Sequence, residues 1–208
     1  SIDNVEINKP ISKGEDPAFI MYTSGTTSNP KGCPLSHNNM IHSSVSMAER
    51  WTMTENDTFW DPLPMFHMSA ILPFSACLIS KAPYISTVYF DADESIKILE
   101  EKKVTIAFPA FPAIMLALIN HPEFDASKLS KIRILNNVAP IDTLRSFQDA
   151  LPNAKQVSAY GLTEAGGVSS YGSPDDPLEK RITTSGRPFP GVEIRIIDPE
   201  TGDQKNNG

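Results

Sequence analysis

Short apolar runs alternate with stretches of helical period along most of the chain. Strands are predicted at residues 18–22, 58–63, 84–90, 104–108, 132–135 and 157–160. Helices are predicted between them, at 70–79, 113–119 and around the apolar sets Ile41/Val45/Ala48, Ile96/Leu99 and Ile141/Leu144/Leu151. Ser36 is a candidate N-cap and Pro112 suits a first helical turn. This alternation predicts an α/β fold with a mostly parallel sheet flanked by helices.

The C-terminal part has a different pattern. Residues 192–198 alternate as a strand does, and "GRPFPG" separates them from the preceding elements. We therefore predict one αβ unit over residues 1–184, and the turn and first strand of an incomplete β unit over 185–208. Since the sequence stops in a polar turn without a closing element, we expect it to be a fragment of a longer protein.

Composition narrows the class of protein. Of the 208 residues, 40% are hydrophobic and 21% charged, which is ordinary for a soluble domain. A formal net charge of −7 argues against a nucleic-acid or anionic-membrane surface, since both require clustered cations. With neither a membrane-length apolar run nor a signal peptide, we expect a cytoplasmic protein. Cys33 and Cys77 are interpreted as free thiols, and one disulfide between them stays an alternative.

The strongest chemical signal is "YTSGTTSNPKG" at residues 22–32, directly after the first predicted strand. Four hydroxyl side chains and one ammonium group surround a glycine: Thr23, Ser24, Thr26, Thr27 and Lys31, with Gly25 among them. Glycine lets backbone amides approach an anion closely, so this loop suits a polyphosphate. It is not a Walker loop, which would end in Gly-Lys-Ser/Thr where this chain has Pro30, Lys31 and Gly32.

This loop resembles the signature of the acyl-adenylate-forming (AMP-binding) superfamily, which includes acyl- and aryl-CoA synthetases, peptide-synthetase adenylation domains and firefly luciferase. The usual form has glycine at the position of Ser28. Further segments are similar to the family's other signatures and occur in the same order: "PMFHMSA" at 64–70, "LNNVAP" at 135–140, "YGLTEAGG" at 160–167 and "SGRPFPG" at 185–191. The resemblance therefore covers nearly the whole chain.

The resemblance implies a role for each matching position. His67 would lie at the wall of the acyl pocket beside the reacting carboxylate. The turn containing Asn137, Val138 and Ala139 would lie against adenine, with Asn137 offering its amide, whereas Asn136 is interpreted as part of a plain connection. In "YGLTEAGG", Tyr160 would offer a flat aromatic face to adenine, with Gly161 beside it. Thr163 would bind a phosphate through its hydroxyl, and Glu164 would be a Mg²⁺ ligand.

The resemblance also implies an ATP-dependent reaction in which a small-molecule carboxylic acid becomes an acyl-AMP and then passes to coenzyme A. We expect His67, Lys31, Thr163 and Glu164 to be the catalytic residues, and ATP, Mg²⁺ and coenzyme A to be the cofactors and co-substrates. The alternatives are an amino-acid adenylation domain and a non-catalytic nucleotide-binding homologue. The oligomeric state stays open, and neither a nucleic-acid partner nor a membrane span is expected.

Two further expectations concern the limits of the site. In the family, an Asp that binds the ribose and a catalytic Lys lie further along the chain. Asp203 is not interpreted as that Asp, because it lies in a polar turn, so we expect little turnover from these residues alone. Walls for the acyl group are expected from Phe66, Met68, Phe108 and Phe111, which could equally be core.

Overall fold

The computed structural model describes residues 11–23 and 29–205. Its strands are β1 (Pro17–Thr23), β2 (Lys31–Ser36), β3 (Phe59–Trp60), β4 (Tyr84–Ile85), β5 (Ile106–Ala110), β6 (Ile134–Asn137), β7 (Lys155–Val157), β8 (Ala159–Tyr160), β9 (Ser170–Tyr171) and β10 (Arg187–Pro188). Its helices are α1 (His37–Arg50), α2 (Met68–Ser80), α3 (Ala92–Glu101), α4 (Pro112–Ile119), α5 (Ile141–Ala150) and α6 (Leu178–Thr183), with a 3-10 turn at Thr163–Ala165.

A five-stranded parallel sheet lies at the centre, in the order β4-β3-β5-β6-β7. Two smaller antiparallel sheets accompany it: the hairpin β1-β2, and the three strands β8, β9 and β10. The predicted α/β class with a mostly parallel sheet is confirmed, because each parallel pair is joined through a helix.

Each face of the parallel sheet has its own hydrophobic core. Alternate strand residues point to opposite faces, so Phe59 and Ile134 join the core shared with α1 and α2. Their neighbours Trp60 and Leu135 join the core shared with α3, α4 and α5. Near-continuous apolar strands are typical of a sheet covered on both faces.

Helix boundaries agree with the local signals. Ser36 caps α1 by accepting a hydrogen bond from the backbone N–H of Asn39 at 3.2 Å. Pro112 occupies the first turn of α4, where its missing N–H leaves no hydrogen bond unmade. Among the described residues, no helix is both long and apolar enough to cross a membrane. Both cysteines are free, as expected.

Several strand predictions are wrong in part. Of the strands expected over 58–63 and 84–90, only Phe59–Trp60 and Tyr84–Ile85 form. The strand expected over 192–198 is absent, and the structure has only an isolated bridge between Ile197 and Gln204 there. Ile194 and Ile196 are exposed, and no strand in the described part lies beside this segment to pair with it. The run at 157–160 is divided between two sheets, because the chain leaves the parallel sheet after Val157.

The division of the chain at residue 185 stays a prediction. Beyond that point, β10 pairs with β9, and Phe189 is buried in the same core as α1. The guanidinium of Arg50, at the end of α1, donates hydrogen bonds to the carbonyls of Tyr171, Arg187 and Pro188 at 2.7–3.0 Å. The turn at 185–191 is therefore attached directly to the αβ unit.

Candidate functional site

A cavity of about 610 Å³ opens at the carboxyl ends of β5 and β6. In open parallel sheets, ligands bind at this edge, because the loops that leave the strands surround a crevice there. The first turns of α2, the end of β1, the start of β2 and the 3-10 turn complete the wall. Sequence segments far apart along the chain thus meet around one space.

One edge of the cavity is polar and charged. Lys31 at the start of β2 and Thr23 at the end of β1 line it together with Thr163 and Glu164 of the 3-10 turn. The 3-10 turn that carries Glu164 contacts β2. Burial and the nearby carboxylate of Glu164 both raise the pKa of the Cys33 thiol on that strand. A cation, a carboxylate and two hydroxyls are therefore available to a polyphosphate and its counter-ion.

The structure brings together many of the residues predicted from sequence. Those that line the cavity are Thr23, Lys31, His67, Val138, Gly161, Thr163 and Glu164. Ser24, Gly25, Thr26 and Thr27, predicted to bind phosphate, lie outside the described residues. Of the expected acyl-pocket walls, Met68, Phe108 and Phe111 line the cavity, whereas Phe66 is exposed and does not.

His67 is oriented by the helix that it caps. Its Nδ1 accepts a hydrogen bond from the backbone N–H of Ser69 at 3.1 Å and lies 2.9 Å from the Ser69 hydroxyl. Because Nδ1 accepts, the neutral ring carries its proton on Nε2. The cap therefore selects the tautomer and leaves Nε2–H as the free donor of this imidazole.

The two asparagines of "LNNVAP" lie in different places from those expected. Asn137 is fully buried and does not line the cavity, and its Nδ2 donates a hydrogen bond to Gln156 Oε1 at 2.9 Å. Asn136, interpreted from sequence as part of a plain connection, lines the cavity. Both residues belong to β6, so their side chains point to opposite faces of the sheet.

Two other predicted adenine contacts do not line the cavity. Tyr160 is 57% exposed, and Ala139 packs against the core shared with α4 and α5. Their roles toward a nucleotide stay predictions. Both nevertheless adjoin residues that do line the cavity, Gly161 and Val138, so the turns that carry them are at the site.

The glycines of "YGLTEAGG" are required by close packing. A Cβ at Gly161 would lie 2.2 Å from the Gly167 carbonyl oxygen and 2.4 Å from Val168 Cα. Gly166 has a φ of +76°, and a Cβ there would lie 2.3 Å from Asn39 Oδ1 of α1. The loop that presents Thr163 and Glu164 is thus held on both sides by backbone and by α1.

Sequence reasoning missed several residues of the apolar part. Leu72 of α2, Ala110, Ala159 and Tyr171 all line the cavity, and Tyr171 is fully buried against Trp51 with ring centroids 4.8 Å apart. Tyr171 lies in the short polar stretch "SSYG", which carries no apolar period. A polar residue at the end of a predicted strand was the available signal for Asn136.

Comparison with known proteins identifies the family. The model of the family described as "AMP-binding enzyme" matches residues 3–208. Putative acyl-CoA synthetase YngI of Bacillus subtilis is 32% identical over 91% of this chain and 35% of its own length. 4-Coumarate-CoA ligase 1 of Narcissus pseudonarcissus is 31% identical over 97% of this chain and 39% of its own length.

Solved structures agree with this comparison. ATP-bound MatB from Rhodopseudomonas palustris superposes with a TM-score of 0.84 at 27% identity, over 95% of this chain and 39% of that one. O-succinylbenzoate coenzyme A synthetase (MenE) from Bacillus subtilis, in complex with AMP, superposes with a TM-score of 0.77 at 25% identity. The match covers 93% of this chain and 49% of that one. The chain thus spans about two fifths of the length of the curated relatives that it matches. With its sequence signatures gathered around one cavity and a family match over nearly its whole length, the chain belongs to the AMP-binding enzyme family.

Proposed function

We propose that the protein containing this chain activates a carboxylic acid with ATP to form an acyl-AMP and then transfers the acyl group to coenzyme A. The observation that carries the proposal is the composition of the single cavity described above. Its charged edge, with Lys31 and Glu164, adjoins an apolar part formed by Met68, Leu72 and Phe108. ATP phosphates fit the first region and a carboxylic acid with an apolar chain fits the second.

In the first step, a carboxylate oxygen of the acid attacks the α-phosphorus of ATP. The bond between the α-phosphorus and the bridging oxygen breaks, and pyrophosphate leaves with the electron pair. Lys31, with Thr23 and residues 24–27 of the same signature, would steady the departing phosphates. Thr163 would donate a hydrogen bond from its hydroxyl to a phosphate. His67 would border the carboxylate. Most of this catalysis is positioning and charge stabilisation.

In the second step, the thiol of coenzyme A attacks the acyl carbonyl carbon, and AMP leaves. The thiol gives up its proton as the carbon–sulfur bond forms. The acyl-CoA ligases among the relatives support coenzyme A as the acceptor.

Magnesium fits the charged edge only in company with the nucleotide. In the described part of the chain, no three His, Cys, Asp or Glu side chains are grouped to hold a metal on their own. Mg²⁺ is commonly bound by one or two carboxylates together with substrate phosphates. Glu164 would supply that carboxylate, and the bound ion would offset charge on the phosphates.

The 208 residues alone are expected to turn over slowly. Among the described residues that line the cavity, Lys31 and Glu164 carry the permanent charges. A ribose-binding carboxylate and a further lysine, which the resemblance implies, are not among them. ATP–pyrophosphate exchange at the full rate by these residues alone would contradict this expectation.

The test is ATP-dependent pyrophosphate exchange by the full gene product with a panel of carboxylic and amino acids, followed by acyl-CoA detection. Lys31→Met and Glu164→Gln are each expected to lower the exchange rate by about a hundredfold or more, since each removes charge stabilisation at a phosphate. Lys128→Met is a matched control, because Lys128 pairs with Glu100 on the surface. Unchanged exchange in the first two variants would contradict the assignment, and activity with amino acids alone would replace the proposed substrate class.

A further inference from the structure

Two buried polar side chains line the apolar part of the cavity, and each has one polar atom without a hydrogen-bond partner among the described residues. Asn136 is 1% exposed, and its Oδ1 has no partner in the described part of the chain. Its Nδ2 lies 3.5 Å from the Val157 carbonyl oxygen, at the outer limit for a hydrogen bond. The hydroxyl of Tyr171, in a fully buried side chain, also has no partner among the residues described.

The strand register pairs the two residues with positions two residues apart on one stretch of chain. Asn136 on β6 lies opposite Val157 on β7, and Tyr171 on β9 lies opposite Ala159 on β8. Ala159 itself lines the cavity. Because its side chain is a single methyl group, Ala159 occupies little of the cavity that Asn136 and Tyr171 also line.

An unpaired buried polar group is unusual and needs a reason. Leaving one without a partner costs about 1–3 kcal/mol, so native proteins keep few of them. The hydroxyl of Tyr84, a half-buried residue, shows the ordinary arrangement in this protein, since it donates to Asp61 Oδ2 at 3.0 Å. Among described side chains with an unpartnered buried atom, Asn136 and Tyr171 are the two that line the cavity.

We propose that Asn136 and Tyr171 bind a hydroxyl group on the chain of the substrate, so that the acid activated is a hydroxy acid. This inference rests on the proposed function and names its substrate class. A hydroxyl group is both donor and acceptor, so it can donate to Asn136 Oδ1 and accept from the Tyr171 hydroxyl. Both protein groups are then satisfied by one small neutral substituent.

Charge distinguishes a hydroxyl from a second carboxylate on the substrate. Lys31 lies at the phosphate edge with Glu164, and no other Lys or Arg of the described chain lines the cavity. The guanidinium of Arg50 contacts Tyr171 at its backbone carbonyl and does not line the cavity. A substrate carboxylate buried there would be unpaired, which is far more costly than burying a neutral hydroxyl.

The test compares matched acids in the full gene product by pyrophosphate exchange. One pair is an ω-hydroxyalkanoic acid and the alkanoic acid of equal length, and the other is a hydroxyphenylpropanoic and a phenylpropanoic acid. In at least one pair, kcat/KM is expected to favour the hydroxy acid by about 10–100-fold, since the unsubstituted acid leaves buried groups unpaired. Asn136→Leu and Tyr171→Phe should each bring that ratio close to one.

Tyr84→Phe is the matched control, because it removes a tyrosine hydroxyl that does not line the cavity, and it should leave the ratio unchanged. A wild-type ratio of one or less in both pairs would overturn the inference while leaving the proposed function intact, as would a preference that survives in both variants. If Asn136→Leu does not fold, the result for Tyr171→Phe decides. Absence of exchange with every acid would instead refute the proposed function, and this inference with it.

Discussion

Asp61 is a buried carboxyl group with no cation beside it, and its replacement by asparagine is expected to stabilise the protein at neutral pH. It follows β3 directly and is fully buried. Its Oδ1 accepts from the backbone N–H of Leu63 at 2.9 Å, and its Oδ2 accepts from the Tyr84 hydroxyl at 3.0 Å. Burial outweighs these two hydrogen bonds and raises the pKa of Asp61 from 3.8 to about 8.

The sign and size of the effect follow from this shift. Between pH 4 and 8 the folded protein holds a proton on Asp61 that the unfolded chain has released, so the free energy of unfolding falls as pH rises. Each pH unit in that window costs about 1.4 kcal/mol. At pH 7 the accumulated cost is about 4 kcal/mol relative to a group that does not titrate. Asparagine does not titrate, keeps an acceptor for Leu63 and offers a donor to the Tyr84 oxygen.

Urea unfolding of the wild type and Asp61→Asn at several pH values measures this difference. The two proteins should have similar free energies of unfolding near pH 4, with the variant gaining about 1.4 kcal/mol per pH unit up to about pH 7.5. A difference that does not grow with pH, or a variant less stable throughout, would refute the reasoning.

Asp57→Asn is the matched control, with the opposite sign. Burial raises the pKa of Asp57, but hydrogen bonds from Arg133 and Thr105 outweigh burial, so the net shift is downward. A carboxyl group whose pKa is lower in the folded protein than in the unfolded chain stabilises the folded protein at pH values above its unfolded pKa. This contribution is lost as the pH falls. Asp57→Asn should therefore destabilise the protein at pH 7 and approach the wild type at low pH.

Substitutions at three further positions test the fold around the site. Arg50→Met should lower the free energy of unfolding by about 3 kcal/mol, because it leaves three carbonyls without their donor, and amide hydrogen exchange should show loss of protection in β9 and β10. Arg50→Lys, which keeps the charge without the planar fork, should recover only part of this loss. Gly161→Ala should lower pyrophosphate exchange by about a hundredfold with secondary structure by circular dichroism retained, since the methyl group would displace the loop that carries Thr163 and Glu164. Leu72→Ala should lower the unfolding free energy by about 3 kcal/mol in denaturant titrations, because Leu72 is 1% exposed in the core beneath the cavity. Wild-type behaviour in any of these three would contradict the corresponding contact.

Residues whose chemistry is visible in isolation could be predicted from the sequence. Lys31, Thr163 and Glu164 lie in signatures in which hydroxyls, charge and glycine occur together, and the structure brings all three to one cavity. The capping residue Ser36 and the helix-initiating Pro112 were equally local, since a cap involves only the next few residues.

Residues whose role depends on which face of the sheet they occupy could not be predicted in this way. Asn136 and Asn137 have the same chemistry and adjacent positions, yet one lines the cavity and the other bonds Gln156, because strand pairing decides which face each occupies. The segment at 192–198 has the alternation of a strand, but a strand also requires a partner, and the described chain provides none beside it.

The sequence by itself therefore determined the fold class, the order of the strands and helices in the parallel-sheet unit, and the residue types at the charged edge of the cavity. These depend on short-range period, on capping and on residue types that suit a phosphate. Only the tertiary structure decided the apolar half, where Tyr171 lies buried against Trp51 and faces the same cavity as Asn136. The physical reason is distance along the chain: those residues come from separate strands, and packing alone brings their side chains to a common wall.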